Sequence, residues 1–207
     1  MKYRLAIFDF DGTLANSFPF FVRVFNQLAE QHDFKGIAPD LVPTFRHYTA
    51  RQMMEYVGMP AWKLPLVAKH FISLMRQNAA SIPLFEQIDE VLPHLANNGV
   101  TLAIVSSNSY DNVSRILGPA NKKLIDQFEC GMSIFGKPAR IQKVLRKTGI
   151  SCHESIYIGD QVTDLEAARK ENVAFGAVSW GYGTIESLRA HFPEEEFDQV
   201  SALKRIV

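Results

Sequence analysis

The 207-residue sequence predicts an α/β protein with a mostly parallel sheet and a long helical insertion, on three observations. Three short apolar runs, at 5–8, 101–105 and 155–159, each end in polar or acidic residues, as buried strands do where they open into loops. Segments of helical spacing lie between the runs, the alternation that builds a parallel sheet. A further helical stretch, from about Ala15 to Ile82, is too long for a loop and divides the first run from the second. An apolar content of 47% is enough for a sizeable core in one such unit.

The first run, Leu5-Ala6-Ile7-Phe8, leads into Asp9-Phe10-Asp11-Gly12-Thr13. Residues i and i+2 share a face in an extended chain, and Gly12 lets the backbone turn so that both carboxylates converge. Two close carboxylates repel, and a divalent cation is the usual way to hold both near a phosphate; Mg²⁺, with its preference for hard oxygen, fits. The pattern predicts metal-assisted phosphoryl transfer, although an Asp-Gly turn is also an ordinary strand ending.

Four helical stretches follow in the insertion. Ser17 is placed to cap a helix reaching about His32, with Phe21, Val24, Phe25 and Leu28 on one face, a stripe that reads as core. Helices over about Pro39–Tyr48, Ala50–Val57 and Trp62–Ala80 follow, the last two parted by Gly58-Met59-Pro60. Arg46, His47, Tyr48 and Arg51 make the most cationic cluster of this region, suited either to an anionic substrate or to a solvated helix face.

The second run opens into Ser106-Ser107-Asn108 before a helix from about Ser109 to Leu117. A hydroxyl and backbone N–H groups there can bind phosphate oxygens, and the same triplet is also an ordinary cap composition. Gly136-Lys137-Pro138 starts a helix to about Lys147, with Gly149 as the stop. A lysine at a helix N-terminus gains nothing from the dipole, so neutralising a phosphate and a carboxylate is one reason for Lys137; a solvated surface position is the other. The third run ends in Gly159-Asp160, with Asp164 in the first turn of the next helix. A helix N-terminus favours Asp164 on its own account, whereas Asp160 at a buried strand end needs a partner to offset its desolvation.

That helix is expected to end near Glu171, followed by a strand from Ala174 to Val178 and the loop Trp180-Gly181-Tyr182-Gly183, which has the composition of a turn. Glu194-Glu195-Glu196 reads as a solvated turn, and Phe197 to Val200 as an edge strand.

Taken together, Asp9, Asp11, Gly12, Thr13, Ser106, Lys137, Asp160 and Asp164 resemble the four signature motifs of the haloacid dehalogenase superfamily, in its Mg²⁺-dependent phosphatase branch and close to the phosphoglycolate phosphatases. The resemblance spans nearly the whole chain. It implies a Rossmann-like three-layer core, residues 1–14 and 83–207, with residues 15–82 forming a helical cap. It further implies Asp9 as nucleophile, Asp11 as general acid and base, Ser106 and Lys137 as catalytic phosphate contacts, and Gly12, Thr13, Ser107 and Asn108 lining the phosphate site. Mg²⁺ would be held by Asp9, the backbone carbonyl of Asp11, and Asp160, with Asp164 as ligand or support. Arg46 and Arg51 are the cap residues assigned to the substrate. Asp11 argues against a dehalogenase, while a phosphomutase and a non-catalytic phosphate-binding regulatory protein stay as alternatives. Asn16, where many relatives carry Asp, and Leu84-Phe85-Glu86, where many carry a Pro-Gly turn, depart from the pattern at the hinge.

The 22 basic and 22 acidic residues balance, which predicts no nucleic-acid partner and no attraction to an anionic membrane. The start, Met1-Lys2-Tyr3-Arg4, lacks a signal-peptide layout, and no apolar stretch reaches membrane-spanning length, so a cytoplasmic protein acting on a small phosphorylated metabolite, such as phosphoglycolate or a sugar phosphate, is expected. Cys130 and Cys152 lack metal-ligand spacing, and the six histidines are scattered singly.

Overall fold

The computed structural model describes residues 2–45, 48, 50–131 and 136–207. Six parallel strands form one sheet in the order β3-β2-β1-β4-β5-β6, namely β1 Leu5–Phe8, β2 Thr101–Ser106, β3 Gln127–Cys130, β4 Ser155–Gly159, β5 Ala174–Val178 and β6 Glu195–Phe197. The helices are α1 Phe18–His32, α2 Val42–Phe45, α3 Ala50–Val57, α4 Leu64–Gln77, α5 Ile88–Asn97, α6 Tyr110–Lys122, α7 Gly136–Thr148, α8 Val162–Lys170 and α9 Ile185–Arg189. This is the α/β, Rossmann-like class expected.

The alternation of β1 builds two cores. Ala6 and Phe8 face a cluster with Ile88, Leu92 and Ile116 of α5 and α6, whereas Leu5 and Ile7 face Ile141, Val144 and Leu165 of α7 and α8. Helices cover both faces, so β1 is buried along its whole length. Its neighbours on either side are β2 and β4, in register at Phe8↔Ile104 and Phe8↔Ile158. The chain thus leaves β1 toward one side and returns on the other, the switch point where open parallel sheets place their ligands.

The inserted helices have two attachments. Phe25, Ile37, Phe45 and Val57 form a cluster of their own. Phe20, Val24, Leu28, Val67 and Met75 instead join the core that contains Phe10 and Leu14. The chain enters and leaves the insertion side by side: Ala15 bridges Leu84, Asn16 N–H donates to Pro83 O at 2.9 Å, and Phe85 N–H to Leu14 O at 2.9 Å. At the exit Gln87 sits before α5 with φ 72°, left-handed backbone that glycine takes more readily.

Several elements differ from expectation. The stretch from Pro39 is a 3-10 turn, Pro39–Leu41, followed by the single turn α2; Arg46 and His47 lie outside the described residues, and Tyr48 is not helical. Pro65 in the first turn sets the start of α4, and the Asn78 side chain caps Leu74 O at 2.9 Å where α4 ends, leaving Ala79–Ser81 as a 3-10 turn. The edge strand begins two residues early, so Glu195 and Glu196 belong to β6; charge there blocks further pairing, and Glu195 is tied back to Lys2 and Arg205. Val200–Ile206 is a 3-10 helix packed on α5.

Candidate active site

Sheet register assembles the site. Asp9 follows Phe8, Ser106 lies two residues beyond Ile104, and Asp160 two beyond Ile158, so three adjacent strand tips present their side chains at one edge. Asp9 N–H donates to Ile158 O at 2.9 Å, which extends the β1–β4 pairing by one residue. Among the described residues, Asp9, Asp160 and Asp164 form the one group of acids able to share a metal, with ligand oxygens within 4.8 Å of one another and all three residues buried.

Lys137, in the first turn of α7, is the cation of this cluster. Its Nζ lies 2.8 Å from Asp9 Oδ2 and also contacts Asp164 Oδ1. Burial alone would lower its pKa, but the charges of Asp164 and Asp9 outweigh burial and hold it well above the usual lysine value. One lysine against three acids leaves an excess of negative charge. Burial, aided by Asp164 and Asp160 and opposed by Lys137, pushes the Asp9 carboxyl well above the usual range. Burial and Asp164 push Asp160 up to about 7. A set of hard carboxylate oxygens with unbalanced negative charge fits a divalent cation such as Mg²⁺.

Two elements hold Asp160 in place. Its Oδ1 accepts from Thr13 Oγ1 at 3.1 Å and its Oδ2 from Tyr182 N–H at 2.7 Å. The loop bearing Tyr182 lies directly against it: a Cβ built on Gly181 would sit 2.1 Å from Asp160 Cβ, and one on Gly183 2.4 Å from Asp160 O. Gly12 has φ 82°, and a Cβ there would fall 2.5 Å from Asp160 Oδ2. Asp164 closes the first turn of α8, its Oδ2 accepting from Gln161 N–H at 3.2 Å, while its other oxygen serves Lys137.

Asp11 stands apart from the three clustered acids. Its Oδ1 accepts from Ser17 Oγ at 2.7 Å and its Oδ2 from Asn108 Nδ2 at 2.9 Å. Burial raises its pKa against these two donors. The Asn108 amide is oriented by Ser109 N–H at 2.8 Å and Asn112 Nδ2 at 2.9 Å on its oxygen, and Asn112 also donates to Ile72 O of α4 at 2.9 Å. Ser17 makes no side-chain cap on α1, because its hydroxyl is committed to Asp11. Tyr182 Oη lies 2.8 Å from Ser17 Oγ, and its ring meets Phe18 and Phe21 with centroids at 5.1 and 6.1 Å.

Ser106 is buried, and its hydroxyl accepts from Asn108 N–H at 3.1 Å while Arg140 Nη1 donates to its carbonyl at 2.6 Å. Ser107 is exposed. Arg51 is not brought to the cluster; its side chain is 85% exposed and pairs with Glu55 one turn along α3 at 3.0 Å. Arg46 lies outside the described residues. Sequence reasoning missed Tyr182, Asn112 and Arg140, and took Ser17 for a cap; the two glycines flanking Tyr182 were the signal for its loop.

An acid cluster with one lysine at the switch point of a parallel sheet defines the site of an α/β enzyme. The comparisons agree. The haloacid dehalogenase-like hydrolase family matches residues 6–178, and the chain belongs to that family. It is 27% identical over 202 residues, 97% of this chain and 95% of the other, to the phosphoglycolate phosphatase of Synechococcus elongatus. It is 24% identical over 220 residues, 100% of this chain and 97% of the other, to the pyrophosphatase PpaX of Listeria welshimeri. A haloacid dehalogenase-like family hydrolase from Streptococcus pneumoniae superposes with a TM-score of 0.78 at 19% identity, over 100% of this chain and 99% of that one. Among the described residues, no helix is long and apolar enough to cross a membrane.

Proposed function

We propose that this chain is a Mg²⁺-dependent phosphatase that hydrolyses a small phosphate monoester through an aspartyl-phosphate on Asp9, with residues 15–82 acting as a cap on the core. The observation that carries the reading is the Lys137–Asp9 ion pair of 2.8 Å set inside three buried carboxylates. It opposes the burial that pushes the Asp9 carboxyl up and places a cation where a phosphate would bind. The names of its relatives, a phosphoglycolate phosphatase and a pyrophosphatase, support the same class.

An Asp9 carboxylate oxygen attacks phosphorus in line with the ester oxygen. The ester P–O bond breaks, its electron pair goes to the leaving oxygen, and Asp11 supplies the proton. Burial lifts Asp11 above the usual carboxylate range, which suits a residue that must carry that proton. Asp11 then takes a proton from water as the water oxygen attacks phosphorus, the bond to Asp9 breaks, and inorganic phosphate leaves. Lys137 and the Ser106 loop hold the phosphoryl oxygens through both steps. Mg²⁺, held by Asp9, Asp160, the Asp11 backbone carbonyl and Asp164, would add positive charge at the transferring group.

The test is phosphate release from a panel of small monoesters with Mg²⁺ or with EDTA, comparing wild type and Asp9→Asn. Release that needs Mg²⁺ and falls by roughly 10³-fold or more in the variant is expected, since the nucleophile is lost. Equal release from both proteins would overturn the assignment.

A further inference from the structure

Both oxygens of Asp11 are held by groups that depend on the inserted helices. Oδ1 accepts from Ser17, at the start of the insertion, and Oδ2 accepts from Asn108, whose amide nitrogen also lies 3.4 Å from Met75 Sδ of α4. An amide can turn either end toward a carboxylate, but only its nitrogen can donate to an ionised one. Two backbone groups decide which end of Asn108 faces Asp11. Ile72 O of α4 can only accept, so it takes the Asn112 amide nitrogen at 2.9 Å, and that nitrogen also donates to Asn108 Oδ1 at 2.9 Å. Ser109 N–H can only donate, and it meets the same Asn108 oxygen at 2.8 Å. The oxygen of Asn108 is thereby committed, which leaves its nitrogen for Asp11 at 2.9 Å.

Asn112 is fully buried in the first turn of α6, yet its own amide oxygen has no partner among the described residues. A buried acceptor of that kind costs stability, and a leucine of similar volume would avoid the cost. Packing alone therefore gives no reason for an amide at this position, whereas the two hydrogens on its nitrogen do. We infer that Asn112 is a positioning residue for Asp11: anchored on α4, it holds Asn108 as a donor and so sets the acid that protonates the leaving oxygen. The inference rests on the phosphatase reading and adds to it a buried residue that acts through Asn108. It also makes the acid depend on the seating of α4, since Ile72 O is the anchor.

The experiment measures kcat/KM with Mg²⁺ for ethyl phosphate, whose leaving oxygen needs a proton, and for p-nitrophenyl phosphate, whose leaving group departs as an anion. Asn112→Leu is compared with wild type, and again on an Asn108→Ala background; where leucine prevents folding, Asn112→Ala, which only removes atoms, takes its place. One lost buried hydrogen bond predicts a fall of roughly 5- to 12-fold for ethyl phosphate and of less than about twofold for the nitrophenyl ester. With Asn108→Ala already present, the second substitution should change the ethyl phosphate value by less than about twofold, because its path to Asp11 is gone. An equal fall for both esters, the full further loss on the Asn108→Ala background, or no fall in either overturns the inference while the phosphatase reading stands. No turnover of any ester by the wild type overturns both.

Discussion

Tyr182→Phe removes one oxygen from the site. The ring stays against Phe18 and Phe21, and the backbone N–H that holds Asp160 at 2.7 Å is untouched. What is lost is the 2.8 Å bond to Ser17 Oγ, which lies 2.7 Å from Asp11. With Asp11 ionised, Ser17 donates to Asp11 and Tyr182 donates to Ser17. When Asp11 holds its proton, the row reverses, with Asp11 donating to Ser17 and Ser17 to Tyr182. Burial and the nearby charge of Asp11 push the Tyr182 phenol well above its usual pKa, so it remains a neutral hydroxyl able to serve in both directions. Without it, Ser17 lacks a partner for the protonated arrangement. A buried hydrogen bond contributes about 1–1.5 kcal/mol, so proton delivery should slow by roughly 5- to 12-fold. The assay compares kcat/KM for an alkyl phosphate, whose leaving oxygen needs a proton, with that for p-nitrophenyl phosphate, whose leaving group departs readily as an anion. The alkyl value should fall by about tenfold and the nitrophenyl value by less than about twofold. An equal fall in both would mean that Tyr182 acts through general packing, and no fall in either would remove the hydroxyl row from catalysis.

Two other substitutions probe the scaffold. Burial raises the Glu129 carboxyl on β3, but Lys143 and Lys147 of α7, at 2.8 and 2.9 Å, more than offset this and hold it below its ordinary value of 4.5. A lowered folded-state pKa gives stability that is full above pH 4.5 and is lost as pH falls through the folded value; Glu129→Gln should therefore cost about 1 kcal/mol in urea unfolding at pH 7, with the deficit vanishing in strong acid. Gly181→Ala places a methyl where Asp160 Cβ stands, so calorimetric Mg²⁺ binding should weaken by tenfold or more while the far-ultraviolet circular dichroism spectrum is kept; unchanged binding would show that Asp160 holds no metal.

The strand tips were legible because each couples an apolar run to residues that a core cannot keep without partners. Asp9 and Asp160 needed no tertiary information beyond that rule, while Lys137 was read from its place at a helix start, and sheet and helix α7 bring the three together. The rest was hidden for identifiable reasons. Ser17 satisfies every local criterion for a helix cap, and only contact with Asp11 diverts its hydroxyl. Trp180–Gly183 has turn composition, and the need for its glycines arises from a carboxylate about 20 residues away in sequence, which spacing does not reveal. β3 escaped notice because Gln127–Cys130 contains Glu129 and is only partly buried, so it lacks the apolar run that marked its neighbours. Pro39–Leu41 is a 3-10 turn where the start of a longer helix was expected, since prolines fix the backbone locally without supplying the contacts that extend a helix.

The paired crossing at Ala15 and Leu84 has a consequence for how such chains diversify. The two ends of the insertion lie one strand spacing apart, about 5 Å, and are tied to each other rather than to anything within the insertion. A segment placed between them must have ends that meet at that spacing, and it must also replace the packing of Phe20, Val24 and Leu28 on Phe10 and Leu14 and the Ser17 bond to Asp11. The sheet and the helices inserted after Ala15 are thus joined through a doorway two residues wide.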